Sequence, residues 1–167
     1  MKNIEVKCEL RDLELARATC ALLRATRVGV LHQTDEYVQV SEGRLKRRTE
    51  RVEGGAASVR WIWYDRADRT NARPSLWTEL DDRQVAVRWP TLDRTVCKLI
   101  VKRRELWTIE NIRIHLDTVA GLGNYFELEG LCGPSDDPAE TKLKVETLFE
   151  KFRPTLGELV SAGYADL

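Results

Sequence analysis

The sequence lacks the features of a membrane or secreted protein. No stretch approaches the roughly 18 uninterrupted apolar residues that a membrane-spanning helix needs. Residues 1–8 contain neither an apolar segment nor a small-residue cleavage site, so no signal peptide is expected. We therefore expect a cytoplasmic protein.

An excess of charge of one sign is also missing. The 167 residues carry 27 basic and 27 acidic side chains, so the formal net charge is zero. No overall field attracts nucleic acid or an anionic membrane, and any anion must be bound by a local cluster of cations. We expect neither nucleic acid nor a membrane among the partners.

Sequence motifs for zinc sites, disulfide frameworks and common nucleotide-binding loops are absent. No C-x-x-C pair occurs among the widely spaced Cys8, Cys20, Cys97 and Cys132. There is no Walker A loop, and the two glycines of GLGN at 121–124 are too few for a dinucleotide site. His32 and His115 lack metal-ligand spacing, and we interpret His32 as structural and His115 as lining a site at most.

The chain does contain several short segments in which ionisable residues recur at every second position, with mostly apolar residues between them. Strand side chains alternate between two faces, so each segment would place its charges on one face. Eight cations would share that face: Lys7, Arg44, Lys46, Arg48, Arg66, Lys102, Arg104 and Arg113. Four acids would join them: Glu5, Asp117, Glu127 and Glu129. Such a face favours a polyanion and a metal ion as ligands.

A bland alternative explains the same alternation, because an ordinary antiparallel sheet with one solvated face also alternates charged and apolar residues. Two observations count against it. Arginine is dense in these segments, and the glutamates lie only in the first and last of them. If the sheet closes into a barrel, those two strands become neighbours and Glu5, Glu127 and Glu129 converge.

The remaining pattern predicts a single domain, residues 1–167, that is mainly β with a few added helices. Strands are predicted over 3–9, 28–40, 43–52, 56–66, 97–107, 110–119 and 124–131, with a short one near 75–80. One helix is predicted over 12–26, with Leu15, Ala18, Leu22 and Leu23 on its buried face. Another begins at Asp137 and Pro138 and ends near Phe152, and a short one follows Pro154. Strands joined by short turns form a meander, which closes into an up-and-down barrel.

Five segments carry a resemblance to the CYTH superfamily, also called triphosphate tunnel metalloenzymes. They are IEVK near the start, GRLKRR at 43–48, YDR at 64–66, VKRREL at 101–106 and RIHLDTVAGLGNYFELE at 113–129. The likeness keeps its order over nearly the whole chain, including the closing GYADL. It is closest to the bacterial class IV adenylate cyclase-like branch, of which QTDEYVQVSEGRLK is also typical.

The resemblance implies an eight-stranded antiparallel closed barrel with flanking helices, whose interior is a tunnel for a nucleoside or inorganic triphosphate. It implies Mg²⁺ or Mn²⁺ held by Glu5, Glu127 and Glu129, with Asp117 as a further candidate, and catalysis by these glutamates with Lys7. The eight cations named above would bind phosphate oxygens. The family signature E-x-E-x-K falls on Asn3, Glu5 and Lys7, so the first acid is replaced by an amide, which affects the number or affinity of metals.

Three functions are compatible with these residues. The first is a metal-dependent cyclase that makes cyclic AMP and pyrophosphate from ATP. The second is a triphosphatase acting on thiamine triphosphate or inorganic tripolyphosphate. The third is a non-catalytic protein that binds polyphosphate or nucleotide, which only the replacement at Asn3 supports. A homodimer is possible, because relatives often pair.

Some residues receive other predictions. Arg47 should lie on the solvated face, opposite its neighbours. The branch motif around Asp35, Glu36 and Tyr37 receives no role from physical reasoning. The five tryptophans are expected to pack helices against the barrel exterior, with Trp77 near the open mouth.

Overall fold

Strands dominate the computed structural model, which describes residues 2–65 and 72–167. Within these residues the strands are β1 (Lys2–Leu10), β2 (Thr26–Val38), β3 (Arg44–Val52), β4 (Ala57–Asp65), β5 (Arg73–Leu80), β6 (Val96–Ile109), β7 (Ile112–Val119), β8 (Gly123–Cys132) and β9 (Leu156–Leu159). The α-helices are α1 (Leu13–Leu22), α2 (Asp82–Arg88) and α3 (Pro138–Phe152). None of the helices in the described ranges is long and apolar enough to cross a membrane.

The first eight strands close into an antiparallel barrel, as predicted. Their order around the barrel is β5-β4-β3-β2-β6-β7-β8-β1, and β1 also pairs with β5 to complete the circle. The short β9 continues along the same edge of β1, where Leu159 lies opposite Cys8. Closure leaves the two faces of the sheet in different environments, one inside the barrel and one outside.

The connectivity differs from the simple meander expected from the sequence. Two meanders, β2–β5 and β6–β8, join along the β2–β6 pair, and β1 fills the place between β8 and β5. The segments containing α1 and α2 carry the chain from β1 to β2 and from β5 to β6, so these sequential strands are not neighbours. The order of the strands departs from a meander because the two longest strands, β2 and β6, form an antiparallel pair along most of their length.

The outer face of β1, β7 and β8 is apolar and is covered by helices. Its side chains pack with α1 and α3 into a core that includes Ile4, Val6, Ile114, Phe126, Leu128, Val145, Phe149 and Phe152. The ring centroids of Phe126 and Phe152 are 4.7 Å apart. Glu5 and Lys7 alternate with these core residues on β1 and are 7% and 4% exposed. The charged face therefore points into the barrel, and the interpretation as a solvated sheet face is wrong.

Helix α1 begins as predicted and buries a different face. Asp12 caps it by accepting a hydrogen bond from the backbone N–H of Leu15. The fully buried residues are Ala16 and Cys20, whereas Leu22 is 82% exposed. Ala16 and Cys20 join the core that covers the outer face of β1, β7 and β8, so the buried face of the helix consists of small side chains. The helix also ends at Leu22, earlier than predicted.

The other helices show one agreement and one correction. Helix α3 has the predicted limits, with Asp137 capping it and Pro138 in its first turn. The prediction of a helix after Pro154 is wrong, because a single 3₁₀ turn, Arg153–Thr155, leads directly into β9.

Helix α2 packs its buried Val85 against Trp61 on the outside of the barrel, and the Trp61 indole N–H donates to Asp82 at 2.9 Å. Trp61 thus packs a helix on the exterior as expected.

Candidate functional site

The barrel encloses a cavity of about 350 Å³ lined by side chains from all eight strands. This volume lies within the range of small-molecule binding sites. The wall contains most of the charged residues predicted from the sequence: Glu5, Lys7, Lys46, Arg48, Lys102, Arg104, Arg113, Glu127 and Glu129. We call this interior the tunnel.

The glutamates of the first and last barrel strands meet in register, as expected for a closed sheet. Glu5 lies directly opposite Glu129, and Lys7 lies opposite Glu127, on the β1–β8 pair. On the other side of β8, Arg113 is opposite Glu129 and His115 is opposite Glu127. Glu127 therefore lies between Lys7 and His115, whereas Glu129 lies between Glu5 and Arg113.

Glu127 is surrounded by cations. Arg104 donates to its Oε2 at 3.0 Å, and the Lys7 Nζ lies 3.8 Å from its Oε1. Burial alone would raise the pKa of Glu127, but Lys7, His115 and Arg104 together outweigh it and hold that pKa well below the ordinary value. The carboxylate therefore stays ionised inside the tunnel.

Glu129 accepts hydrogen bonds from the Asn3 amide and, at 3.3 Å, from Arg113. His115 bridges the two glutamates, with Nδ1 3.3 Å from Glu127 Oε2 and Nε2 3.8 Å from Glu129 Oε2. Burial, followed by the charge of Arg104, lowers the pKa of His115 and so favours the neutral imidazole. The Asn3 side-chain oxygen is buried without a hydrogen-bond partner.

The cations on β3 and β6 form two similar groups. Arg48 donates through Nε and Nη2 to both oxygens of Asp35, at 2.6 and 2.7 Å, and Lys46 donates to Asp35 at 2.9 Å. Arg104 donates in the same way to both oxygens of Asp117, at 2.7 and 2.6 Å, and Lys102 lies 3.4 Å from it. We call these the β3 group (Asp35, Lys46, Arg48) and the β6 group (Asp117, Lys102, Arg104).

Burial and crowding change the pKa values in both groups. Burial, with a further contribution from Arg48, lowers the pKa of Lys46 from its ordinary 10.5 to about 8. Burial and Arg104 lower the pKa of Lys102 well below its ordinary value. For Asp35 and Asp117 burial alone would raise the pKa, but the neighbouring lysines and arginines outweigh it and hold both values low. The aspartates are thus ionised, and burial beside arginines makes the lysine charges costly.

Asp35 and Tyr164 belong to the site although sequence reasoning gave neither a role. Asp35 shares the inward positions of β2 with Gln33 and Tyr37, so strand alternation could have indicated it. Tyr164 follows the last strand and enters one end of the tunnel, where its hydroxyl donates to Asp117 at 2.8 Å. The Lys7 Nζ lies 4.0 Å from its ring centroid. The closing GYADL belongs to the family likeness, but the sequence did not predict these contacts of Tyr164.

Three residues predicted to lie in the site are not found on the cavity wall: two lie elsewhere, and one is not among the residues that the structure describes. Arg44 forms an ion pair with Asp166 at 3.1 Å and does not line the cavity. Asp117 lies behind Arg104, with its oxygens engaged by that arginine, Lys102 and Tyr164. Arg66 falls outside the described residues. The expectation for Arg47 holds, since it lies outside the barrel and pairs with Glu36 at 3.1 Å.

The donor atoms fit a hard divalent cation in type. Glu5, Glu127, Glu129 and the orphaned oxygen of Asn3 are all oxygen ligands, which Mg²⁺ and Mn²⁺ prefer. Over residues 2–65 and 72–167, no three His, Cys, Asp or Glu side chains are already grouped in the arrangement of a metal site. The metal ligands therefore remain a prediction, which requires Lys7, Arg104 or Arg113 to release carboxylate oxygens.

The sequence matches the CYTH domain family over residues 1–164. The chain belongs to the CYTH family. Membership implies dependence on a divalent metal and a triphosphate substrate. A comparison with curated protein sequences finds no match.

Solved structures share the CYTH fold at low sequence identity. A protein of Pyrococcus horikoshii is 20% identical with a TM-score of 0.74, over 99% of this chain and 98% of that one. A candidate adenylate cyclase from Vibrio parahaemolyticus is 13% identical with a TM-score of 0.66, over 98% and 95%. A candidate adenylyl cyclase from Hippeastrum, described as having a dominant triphosphatase activity, is 14% identical with a TM-score of 0.57, over 97% and 92%.

Proposed function

We propose that this protein is a metal-dependent enzyme that converts ATP to cyclic AMP and pyrophosphate within the tunnel. The observation that carries the proposal is the distribution of charge on the wall. Two arginine–lysine pairs on β3 and β6 share one cavity with the glutamates of β1 and β8. Phosphoryl transfer needs mainly positioning and neutralisation of charge, so such a wall can be catalytic without a covalent nucleophile.

The fixed orientation of two wall arginines supports their assignment to phosphate oxygens. Arg48 and Arg104 each donate Nε and Nη2 to an aspartate, which fixes the plane of the guanidinium. The Nη1 groups then have a defined direction in which to bind a ligand oxygen. Lys46 and Lys102 add charge beside them, and a bound polyphosphate would offset the cost of keeping these lysines protonated.

Glu5, Glu127 and Glu129, with Asn3, would hold the divalent cation on the part of the wall formed by β1 and β8. When bound, Mg²⁺ or Mn²⁺ would neutralise phosphate charge and polarise the phosphorus under attack. Asn3 contributes a neutral oxygen where the family signature has an acid. We therefore expect weaker metal binding at this position than an acid would give.

The position of the triphosphate decides between the cyclase and the triphosphatase. In the cyclase, the ribose 3′-hydroxyl gives its proton to water and its oxygen bonds to the α-phosphorus, while the bond from that phosphorus to the α–β bridging oxygen breaks and pyrophosphate leaves along the basic wall. In a triphosphatase, water attacks the terminal phosphorus instead. The activity described for the Hippeastrum relative keeps the triphosphatase as the second candidate. The cyclase is preferred on the branch motifs QTDEYVQV and HLDTVAGLGNYFELE.

Product analysis tests this proposal. Purified protein is incubated with ATP, thiamine triphosphate or tripolyphosphate, each with Mg²⁺ or Mn²⁺ and each with chelator, and the products are separated by chromatography. Cyclic AMP and pyrophosphate from ATP, formed only with metal, are the expected result. Orthophosphate from ATP or tripolyphosphate without cyclic nucleotide would establish the triphosphatase. Binding of tripolyphosphate in chelator without turnover of any substrate would favour a non-catalytic protein.

A further inference from the structure

Buried acids lie beside the basic residues of one part of the tunnel wall. Going around the barrel, β3 carries Lys46 and Arg48 on the wall, β2 carries the buried Asp35, β6 carries Lys102 and Arg104 on the wall, and β7 carries the buried Asp117. Strand β2 therefore separates two basic strands. Because like charges that face each other across strands are destabilising, the inward acid on β2 stabilises both of its neighbours.

Asp35 does more than lie between the two basic strands. It is 1% exposed, and both of its oxygens are hydrogen-bonded to Arg48. Lys46 donates to the same carboxylate at 2.9 Å. A planar guanidinium held through two of its nitrogens by one carboxylate has a single orientation, which a point charge alone would not impose. Asp117 holds Arg104 in the same way on the other side of β6.

We propose that Asp35 is a positioning residue for the triphosphate, acting through Arg48 and Lys46. It orients the β3 group so that its arginine and lysine contact one part of the polyphosphate while the β6 group contacts another. The inference deepens the proposed function and rests on it. It gives a role to Asp35 of the D-E-Y motif at 35–37, for which sequence reasoning found none.

The competing role for Asp35 is simple neutralisation, and the two roles predict opposite signs. If Asp35 only reduces positive charge, Asp35→Asn makes the tunnel more basic and tightens the binding of an anion. If Asp35 positions Arg48, the same substitution weakens binding despite the gain in net positive charge. The asparagine keeps the shape of the side chain but replaces one of the two acceptor oxygens with an NH₂ group, which cannot accept from the second arginine nitrogen.

The test measures tripolyphosphate binding by titration calorimetry in the presence of chelator, so that neither metal nor turnover contributes. We expect Asp35→Asn to weaken binding about tenfold or more, the scale of a lost hydrogen bond between charged groups. Glu36→Gln is the matched control, since Glu36 is the next residue on β2 and pairs with Arg47 outside the barrel. It should bind like the wild type.

A double-mutant cycle shows whether Asp35 acts through Arg48. Arg48→Lys keeps the charge and loses the two-nitrogen contact, so adding Asp35→Asn to it should cost much less than Asp35→Asn costs alone. Equal costs in both backgrounds would overturn the positioning role. So would unchanged or tighter binding by Asp35→Asn.

Two further measurements distinguish a variant that fails to fold, a wrong inference about Asp35 and a wrong proposed function. If the Asp35→Asn protein does not fold, Asp35→Glu replaces it, because a longer acid keeps the charge and displaces the contact with Arg48. The positioning role then predicts weaker binding, and binding equal to the wild type overturns it. Wild-type protein that fails to bind tripolyphosphate both in chelator and with Mg²⁺ would overturn the proposed function together with this inference, whereas normal binding by the Asp35 variants overturns the inference alone.

Discussion

Glu5 lies directly opposite Glu129 across the β1–β8 pair, so two acids face each other inside a buried site. Like charges in such a position destabilise a sheet unless a cation lies between or beside them. In the structure Arg113 donates to Glu129 at 3.3 Å. A divalent cation between the two glutamates would neutralise them more completely, which is the physical basis for expecting metal here.

The first prediction tests Glu129 as a metal ligand. Glu129→Gln removes a charged oxygen ligand while it keeps the side-chain shape, so turnover with saturating Mg²⁺ should fall by orders of magnitude. The ligand-free melting temperature should not fall, because the substitution also removes the repulsion with Glu5. Glu146→Gln on the exposed side of α3 serves as control. Near-normal turnover in Glu129→Gln would remove Glu129 from the metal site.

The second prediction concerns polyphosphate binding by the whole wall. Tripolyphosphate should raise the melting temperature markedly, because it binds the folded state and relieves repulsion among the cations of the β3 and β6 groups. Orthophosphate at matched ionic strength should have little effect, since it reaches fewer of these cations. Thermal unfolding with each anion is the measurement. Equal stabilisation by both would point to diffuse surface charge rather than to the tunnel.

The third prediction is a pH dependence of stability caused by Lys46. Its pKa is about 8 in the folded protein and ordinarily 10.5, so between these values the unfolded chain binds more protons than the folded one. The free energy of unfolding should therefore rise as the pH is raised from 8 to 9.5. Lys46→Met should show a smaller rise, measured by urea unfolding at each pH. An identical rise in both proteins would contradict the lowered pKa.

Bound tripolyphosphate should reverse this behaviour, which makes a fourth prediction. The anion stabilises protonated Lys46 and raises its pKa, so binding near and above pH 8 takes up a proton and weakens as the pH rises. Calorimetry in two buffers with different ionisation enthalpies measures the uptake directly. The Lys46→Met protein should take up fewer protons when it binds tripolyphosphate. Binding without proton exchange at pH 8.5 would count against this role.

The fifth prediction concerns the tyrosine that enters the end of the tunnel. Tyr164→Phe removes the hydrogen bond to the buried Asp117, so the free energy of unfolding should fall by about 1.5–3 kcal/mol. Tyr125→Phe is a suitable control, because Tyr125 packs edge-on against Tyr164 and its hydroxyl donates to the Leu122 carbonyl over a long distance, 3.4 Å. Urea unfolding compares the two variants. Equal decreases in the free energy of unfolding would show that the hydrogen bond to Asp117 contributes no more stability than the contact of the Tyr125 hydroxyl.

Much of the site could be predicted from the sequence because its signal is local. The alternation of Glu5 and Lys7 with Ile4 and Val6 predicts a strand with one polar face, since side chains on a strand always alternate. Asp12 and the Asp137–Pro138 pair similarly mark helix starts, because the cap lies within a few residues of the N–H groups that it satisfies. The family likeness then indicated that the polar faces line a closed barrel.

Only the tertiary structure showed which of these residues contact one another. Strand β2 pairs with β3 on one side and with β6 on the other, so Asp35 lies between two basic strands. There it accepts a hydrogen bond from Arg48, a contact that the sequence did not predict. The same folding places Tyr164 against Asp117 and joins Arg44 to Asp166 away from the cavity. The periodicity of a strand depends on the backbone alone, whereas these contacts depend on strand order and register, which are decided by packing between segments distant in sequence.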